Sequence, residues 1–339
     1  MKLNIALVGG GRITQKHIDA IKFNSKDCKL VAICEKNLLK QKKFNTIQNI
    51  KIYSDIDTML SKERVDLVSI LTESGNHFNH IKKISKYNKN IIVEKPLCLL
   101  KKHALYLQKL SKTKKINLFV VKQNRFNEAI IKLTKAISSK RFGKIFSVSS
   151  RVRWARMQSY YDLDKWRGTE KLDGGVYANQ ASHHLDMILS IMGDVKSVYA
   201  NGIKALAKIQ MEDTAIVNIK FKNGGLGYLE ATTATRPKDL EGSLTVLGTE
   251  GSVVIGGYAM NKIDEWTFTK SKKGDNILRK TNIKIKNVYG HGHSLFYKEV
   301  INNIKYKKKF PIKLNDAIKV VELIEAIKKS IKFKKIINL

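Results

Sequence analysis

Leu3-Asn4-Ile5-Ala6-Leu7-Val8-Gly9-Gly10-Gly11-Arg12-Ile13-Thr14 is the stretch that decides the fold. A short apolar run that ends in three glycines reads as a buried strand entering a tight turn. The next residues, Thr14 to Lys22, read as a helix. Gly9 makes the turn, and Gly11 lets a ligand's pyrophosphate approach the backbone at the helix N-terminus, with Arg12 and Ile13 beside it. Thr14 stands where a third glycine would complete the G-x-G-x-x-G pattern. Glu35 closes the next strand, Leu30 to Cys34, at the distance expected of an acidic residue that accepts hydrogen bonds from an adenosine ribose. A carboxylate there repels a 2′-phosphate, so the expected cofactor is NAD and not NADP.

Working outward, strand-like and helix-like segments alternate: helix Leu38 to Phe44, strand Lys51 to Tyr53, strand Val65 to Leu71, helix Asn76 to Tyr87, strand Asn90 to Val93, helix Leu99 to Lys112, strand Asn117 to Val121. Such alternation predicts a doubly wound parallel sheet covered on both faces. The second part begins with a helix, Asn127 to Ser139, and a strand, Lys144 to Ala155. A helix over Asp173 to Met192 follows a polar and aromatic loop. Then come β-rich runs Val195 to Ala205, Ala215 to Phe221, Gly227 to Thr235, Ser243 to Leu247, Ser252 to Ile255 and Glu265 to Thr269. These predict a large, mostly antiparallel open sheet in an α+β domain. Ala317 to Ile331 reads as a closing helix capped by Asn315. The expected domains are 1–121, a Rossmann domain that binds NAD, and 122–339, for substrate and oligomerisation.

The 339 residues carry 64 Lys and Arg against 29 Asp and Glu, a net charge of +35. Lysine is spread along the whole chain, which argues against a nucleic-acid module and for a field that draws in anionic substrates. The three cysteines, Cys28, Cys34 and Cys98, lack metal-ligand spacing and read as buried thiols, so no metal is expected. No run approaches the ~18 apolar residues that cross a bilayer, and the first apolar run is too short for a signal core. The expectation is a cytoplasmic protein with no membrane partner.

Two constellations carry chemistry. Glu94-Lys95-Pro96 ends a strand at the edge where a doubly wound sheet faces its ligand, and Lys95 can donate to a substrate oxygen there. Partial burial lowers a lysine pKa toward acid/base use. Thr72, Asn76 and His77, after the Val65 to Leu71 strand, and Glu94 and Lys95 are placed on the cofactor side. In the second half, Asn179 and His183 lie four apart in the expected helix and share a face, with Asp186 a turn beyond. An imidazole suits removal of a hydroxyl proton.

Gly9-x-Gly11 with His17, Glu94-Lys95-Pro96, and Asn179-x-x-x-His183-x-x-Asp186 resemble the glucose-fructose oxidoreductase and inositol dehydrogenase family (Gfo/Idh/MocA) over essentially the whole chain. The resemblance implies a Rossmann domain followed by an α/β domain, a catalytic Lys95 and a catalytic His183. Many members carry Asp at the position of Asn179. An amide is no base, so Asn179 takes an orienting role.

A narrower resemblance lies in Arg151-x-Arg153-Trp154-x-Arg156-x-Gln158-x-Tyr160-Tyr161, Trp166-Arg167-Gly168-Thr169, Asn179-Gln180-x-x-His183-His184 and Thr232 to Gly242. It is similar to the branch that oxidises UDP-N-acetyl-2-amino-2-deoxyglucuronate at carbon 3, on a route to diacetamido uronic acids of surface polysaccharides. Such a substrate needs forked cations and aromatic faces, and Arg153, Trp154, Arg156, Tyr160, Tyr161, Arg167, Asn179 and Gln180 are the candidates. Some relatives reoxidise bound NADH with a 2-oxo acid such as 2-oxoglutarate. The rival expectations are a sibling dehydrogenase of a free sugar or inositol, and a silent binding protein. The exposed face of a large sheet predicts a homodimer or homotetramer.

Overall fold

A computed structural model describes residues 1–45, 47, 50–278 and 292–339. The chain divides into two compact units, Met1–Lys122 with His293–Ile318, and Gln123–Gly292 with Lys319–Leu339.

In the first unit the elements run β1 (Leu3–Val8), α1 (Thr14–Phe23), β2 (Cys28–Cys34), α2 (Leu38–Lys42), β3 (Lys51–Tyr53), α3 (Ile56–Lys62), β4 (Leu67–Ile70), α4 (His77–Ser85), β5 (Asn90–Val93), α5 (Lys101–Thr113) and β6 (Leu118–Val120). Among the described residues the strands form one parallel sheet in the order β3-β2-β1-β4-β5-β6. The order reverses beside β1, which makes the crevice at its C-terminal end the ligand position of a doubly wound fold. β4 and β6 are buried throughout and β5 nearly so, as expected of strands covered on both faces. The sequence reading missed α3. Asp55 starts it by accepting the backbone N–H of Thr58 at 2.8 Å, and Ile56, Met59 and Leu60 bury its inner face.

The second unit holds α6 (Glu128–Ser138), β7 (Ile145–Arg153), α7 (Gln158–Asp162), α8 (Val176–Asn179), α9 (Ser182–Met192), β8 (Val195–Ile203), β9 (Thr214–Phe221), β10 (Leu226–Thr232), β11 (Glu241–Gly248), β12 (Gly251–Gly256), β13 (Lys262–Phe268) and α10 (Asp275–Leu278). Toward the C-terminus come α11 (Gly292–Tyr306), α12 (Leu314–Phe333) and β14 (Ile337–Asn338). The described strands form a sheet of order β13-β12-β11-β7-β10-β9-β8-β14, antiparallel except where β7 and β10 run parallel. Burial alternates along β9 and β10, so one face is packed and the other is open. α9 packs against β7 on the buried face.

Two expectations about helices fail. The helix expected over Asp173 to Met192 is broken. Gly174 and Gly175 take positive φ (84° and 87°), which holds their segment out of helix, and α8 lasts one turn. The N–H of Ala181 then bonds back to Val176 O, five residues away, and α9 starts afresh at Ser182. Nor does Asn315 cap the last helix. α12 starts one residue earlier, and the carboxylate of Asp316 accepts the N–H of Lys313 at 3.3 Å. The 15-residue α11 was also absent from the sequence reading. Among the described residues no helix is long and apolar enough to cross a membrane. The three cysteines are free and buried, and burial pushes the Cys34 thiol up to about 12.

Candidate active site

In the first unit the glycine turn is built as its spacing implies. Gly9 has φ +107°, and a Cβ there would meet the Leu71 carbonyl carbon at 3.0 Å. At Gly10 a Cβ would strike Glu35 Oε2 and the Phe44 ring, each at 2.8 Å. At Gly11 a Cβ would meet nothing within 4 Å, so this is the residue with open space over its backbone. Thr14, at the third-glycine position, is buried and donates its hydroxyl to Gly9 O at 2.9 Å, which closes the turn. Arg12 and Ile13 lead into α1, whose start carries no side-chain cap. An uncapped helix start with an open glycine before it suits a pyrophosphate.

Glu35 stands at the end of β2. One carboxylate oxygen accepts the N–H of Gly10 at 2.5 Å and the other that of Asn37 at 2.8 Å. Each retains a lone pair for a ribose hydroxyl. The residues after β4 are held by their own bonds. Thr72 Oγ1 meets His80 Nδ1 at 2.9 Å, and Asn76 donates to Glu73 at 3.0 Å. The buried His77 ring sits between Pro96 O (2.8 Å) and Thr72 O (3.1 Å), tying the β4 loop to the turn after β5. Burial lowers its pKa, and the two carbonyls pull the other way. His77 thus serves as a brace.

The Glu94-Lys95-Pro96 turn follows β5 and contains a cis Lys95–Pro96 bond. Lys95 is half-buried and Glu94 buried. Glu94 Oε1 accepts from His17 Nε2 at 2.9 Å and His293 Nε2 at 3.2 Å, while Oε2 accepts the Lys95 N–H at 3.2 Å. Burial alone would raise the Glu94 pKa, but the hydrogen bonds from the two histidines outweigh it and hold the carboxyl well below its usual range. The sequence reading did not single out His293 or Tyr297, both on α11. The signal was there: His293, Phe296, Tyr297, Val300 and Ile301 make a helical stripe, and all five are buried.

In the second unit His183 lies in the first turn of α9 and is buried. Asp186, a turn further on, is 2% exposed and takes a bidentate pair from Arg125 at 2.7 and 2.8 Å. Asn179, at the end of α8, donates to Asp173, whose other oxygen accepts the N–H of Gly168 at 2.9 Å. With the helix broken between them, Asn179 and His183 do not share a continuous helical face.

Tyr160 is the hub for most of the predicted substrate residues. Its hydroxyl is bonded by Arg167 Nη1 at 2.6 Å and Gln180 Nε2 at 3.1 Å. The Arg167 guanidinium lies 4.4 Å from the Tyr160 ring centre, that of Arg156 5.6 Å from it, and Tyr161 packs edge-on at 5.1 Å. Arg156 also lies 5.3 Å from the ring centre of the buried Trp154 and is paired with Asp239 at 2.9 Å. Tyr161 Oη bonds Thr233 at 2.7 Å, and burial pushes its pKa up to about 12. A cleft of about 570 Å³ opens here, lined by Tyr161, Arg167, Lys165, Lys204 and Lys208 among others.

Arg153 stands apart. On β7 it shares the open face of the sheet with Arg151, and its fork holds Glu230 of β10 at 2.6 and 2.8 Å, with Glu241 of β11 at 3.2 Å. The face that packs α9 is the opposite one, carrying Val148 and Val152.

Residues 3–122 match the model of an oxidoreductase family described as its NAD-binding Rossmann fold, and residues 134–339 match its C-terminal alpha/beta domain. The chain is similar to the WlbA dehydrogenase from Bordetella pertussis, solved in complex with NADH and UDP-GlcNAcA. That likeness has a TM-score of 0.95 and 34% identity, over 100% of this chain and 98% of the other. The myo-inositol 2-dehydrogenase of Thermotoga maritima is 26% identical over 67% of this chain and 68% of its own. The uncharacterized oxidoreductase YhhX of Escherichia coli is 28% identical over 57% of this chain and 54% of its own, so against that relative the chain spans about half the length.

Proposed function

Given that the chain belongs to the Gfo/Idh/MocA oxidoreductases and has their NAD-binding domain, we propose that it oxidises the 3-hydroxyl of UDP-N-acetyl-2-amino-2-deoxyglucuronate to the 3-keto sugar nucleotide. The observation that carries this reading is the match over the full chain to a dehydrogenase crystallised with NADH and UDP-GlcNAcA. The grouping of Arg156, Arg167, Tyr160 and Gln180 beside a lysine-lined cleft supports it, since a nucleotide diphosphate carries the charge that such a surface attracts.

The residues present fit NAD: an open Gly11 at an uncapped helix start, and Glu35 for the ribose. Gly9, Gly11, Arg12 and Ile13 would hold the pyrophosphate, and Thr72, Asn76 and Glu94 would line the nicotinamide side. When bound, NAD supplies the hydride acceptor. Lys95 hydrogen-bonds the sugar oxygen and stabilises the negative charge that develops on it, and His183 accepts the hydroxyl proton. Asn179 orients through Asp173. The reaction belongs in the cytoplasm, in a pathway to surface polysaccharide, with 2-oxoglutarate as a candidate oxidant of bound NADH. A homodimer or homotetramer through the open sheet face is part of the proposal. Tyr199, Ile216 and Leu226 are exposed there.

Incubation with NAD and UDP-N-acetylglucosaminuronate, with and without 2-oxoglutarate, followed by mass analysis, tests the reading. Loss of two hydrogens from the sugar nucleotide is expected. Turnover of myo-inositol or a free sugar in its place would favour the second reading, which the likeness to the Thermotoga enzyme supports.

A further inference from the structure

A chain of hydrogen bonds in the first unit has directions that can be worked out from its ends. Glu94 Oε1, as a carboxylate oxygen, only accepts, so His17 Nε2 at 2.9 Å and His293 Nε2 at 3.2 Å both donate to it. Ring nitrogen Nδ1 of His17 faces the Tyr297 hydroxyl at 2.7 Å, and that hydroxyl faces Ser69 Oγ at 2.7 Å. If Tyr297 donates to His17, Ser69 donates to Tyr297, and every hydroxyl and His17 nitrogen is satisfied with the His17 ring neutral. His17 and Tyr297 are wholly buried, which favours this uncharged arrangement. The peptide N–H of Lys95 completes the shell of Glu94 at 3.2 Å. The carboxylate thus accepts from two imidazoles and one backbone N–H.

We infer that this network holds Glu94 as a buried anion whose charge biases the dinucleotide site toward the oxidised nicotinamide, which is cationic, over the reduced and neutral form. Glu94 directly follows β5 at the ligand end of the parallel sheet, one residue before Lys95. A fixed negative charge in a poorly hydrated place acts more strongly on a nearby cation than one in water. His17, His293 and Tyr297 are positioning residues here, and Ser69 fixes the last proton. The same histidines and Glu94 present ligand atoms within 4.8 Å of one another, the spacing of a metal site, and the test separates the two uses.

Dissociation constants of the full chain for NAD⁺ and for NADH are measured separately by calorimetry, in the unaltered protein, in Glu94→Gln and in Tyr297→Phe. Glu94→Gln should weaken NAD⁺ relative to NADH on the order of tenfold. Tyr297→Phe leaves the carboxylate in place but frees Nδ1 of His17 to take a proton and cancel the charge, so a few-fold shift in the same direction is expected. Should Glu94→Gln fail to fold, judged by circular dichroism, Tyr297→Phe decides alone. Equal changes for the two nucleotides, or none, would overturn the inference. So would one equivalent of zinc bound tightly by the unaltered protein and lost in Glu94→Gln.

Discussion

The carboxylate of Glu35 reaches across the glycine turn to the backbone of Gly10, with Oε2 2.5 Å from the amide nitrogen. One side chain thereby fixes the turn and presents negative charge where an adenosine ribose is expected. Glu35→Ser removes both effects. NAD should bind about tenfold more weakly, as for a lost charge-assisted hydrogen bond, while NADP, no longer repelled, should bind more tightly. Titration with both nucleotides checks this. If NADP gains nothing, charge at position 35 does not set the cofactor preference.

Lys95 and His183 carry the proposed chemistry. Lys95→Ala and His183→Ala should each lower turnover of the sugar nucleotide by a factor on the order of 10² to 10⁴. Neither change touches the glycine turn, so NADH binding, read by fluorescence, should persist. A variant that keeps near-full turnover would remove its residue from the mechanism.

The parts of this site that were legible in the sequence are the local ones. Gly9, Gly11 and Glu35 lie within one strand–turn–helix–strand stretch, and the steric demands of the turn are written into its residue types. The hydrophobic alternation of β8 to β10 marked the second sheet for the same reason. Partnerships across long separations were hidden. Tyr297 meets His17 across 280 positions, and no short-range pattern announces that a tyrosine on one helix completes a histidine on another. The break between α8 and α9 escaped because apolar periodicity continues through it. What interrupts the helix is the backbone bond from Ala181 to Val176 and the tie between Asn179 and Asp173.

Burial lowers the pKa of His17, His77 and His184, the last to about 3. In the unfolded chain these rings return to about 6.5. Below that pH the unfolded state binds more protons than the folded one, so each ring makes stability fall as pH drops below about 6.5, and His184 does so down to about 3, by roughly 1.4 kcal/mol per pH unit. Above 6.5 the dependence vanishes. His184 is the cleanest test, since among the described residues neither of its ring nitrogens has a hydrogen-bond partner. Urea unfolding of His184→Leu at pH 8 and pH 5 should show a difference about 2 kcal/mol smaller than in the unaltered protein. An unchanged difference would mean that His184 is protonated in the fold.

Asp186 and Arg125 form a bidentate pair at 2.7 and 2.8 Å, with the Asp186 side chain 2% exposed. This pair anchors α9 one turn from His183. Asp186→Ala breaks this largely buried bidentate pair and should cost about 3–5 kcal/mol. Joint replacement, Arg125→Met with Asp186→Leu, should recover most of that loss. Thermal unfolding distinguishes the two outcomes, and a double variant as unstable as the single one would show that the pair does more than neutralise itself.

Arg153 and Arg167 carry the same fork in different surroundings. Arg167 touches Tyr160, whose hydroxyl also receives Gln180, and it borders the lysine-lined cleft. Arg153 sits on the open face of the sheet, its fork closed by Glu230 and Glu241. A ligand at Arg153 would have to displace two carboxylates held at 2.6 to 3.2 Å, whereas Arg167 holds Asp164 more loosely, at 3.3 Å, with its guanidinium over the Tyr160 ring and the cleft beside it. Arg156, paired with Asp239 at 2.9 Å, stands against the same Tyr160 ring. Arg167→Ala and Arg156→Ala should therefore raise KM for the sugar nucleotide tenfold or more, as expected when an arginine–phosphate contact is lost. Arg153→Ala should leave KM within about twofold and lower stability by roughly 1 kcal/mol, the scale of a partly exposed ion pair. Steady-state kinetics on the three variants decides the matter. If Arg153→Ala raises KM as much as the others, the nucleotide is held at the open sheet face, and the cleft around Tyr160 is not its binding place.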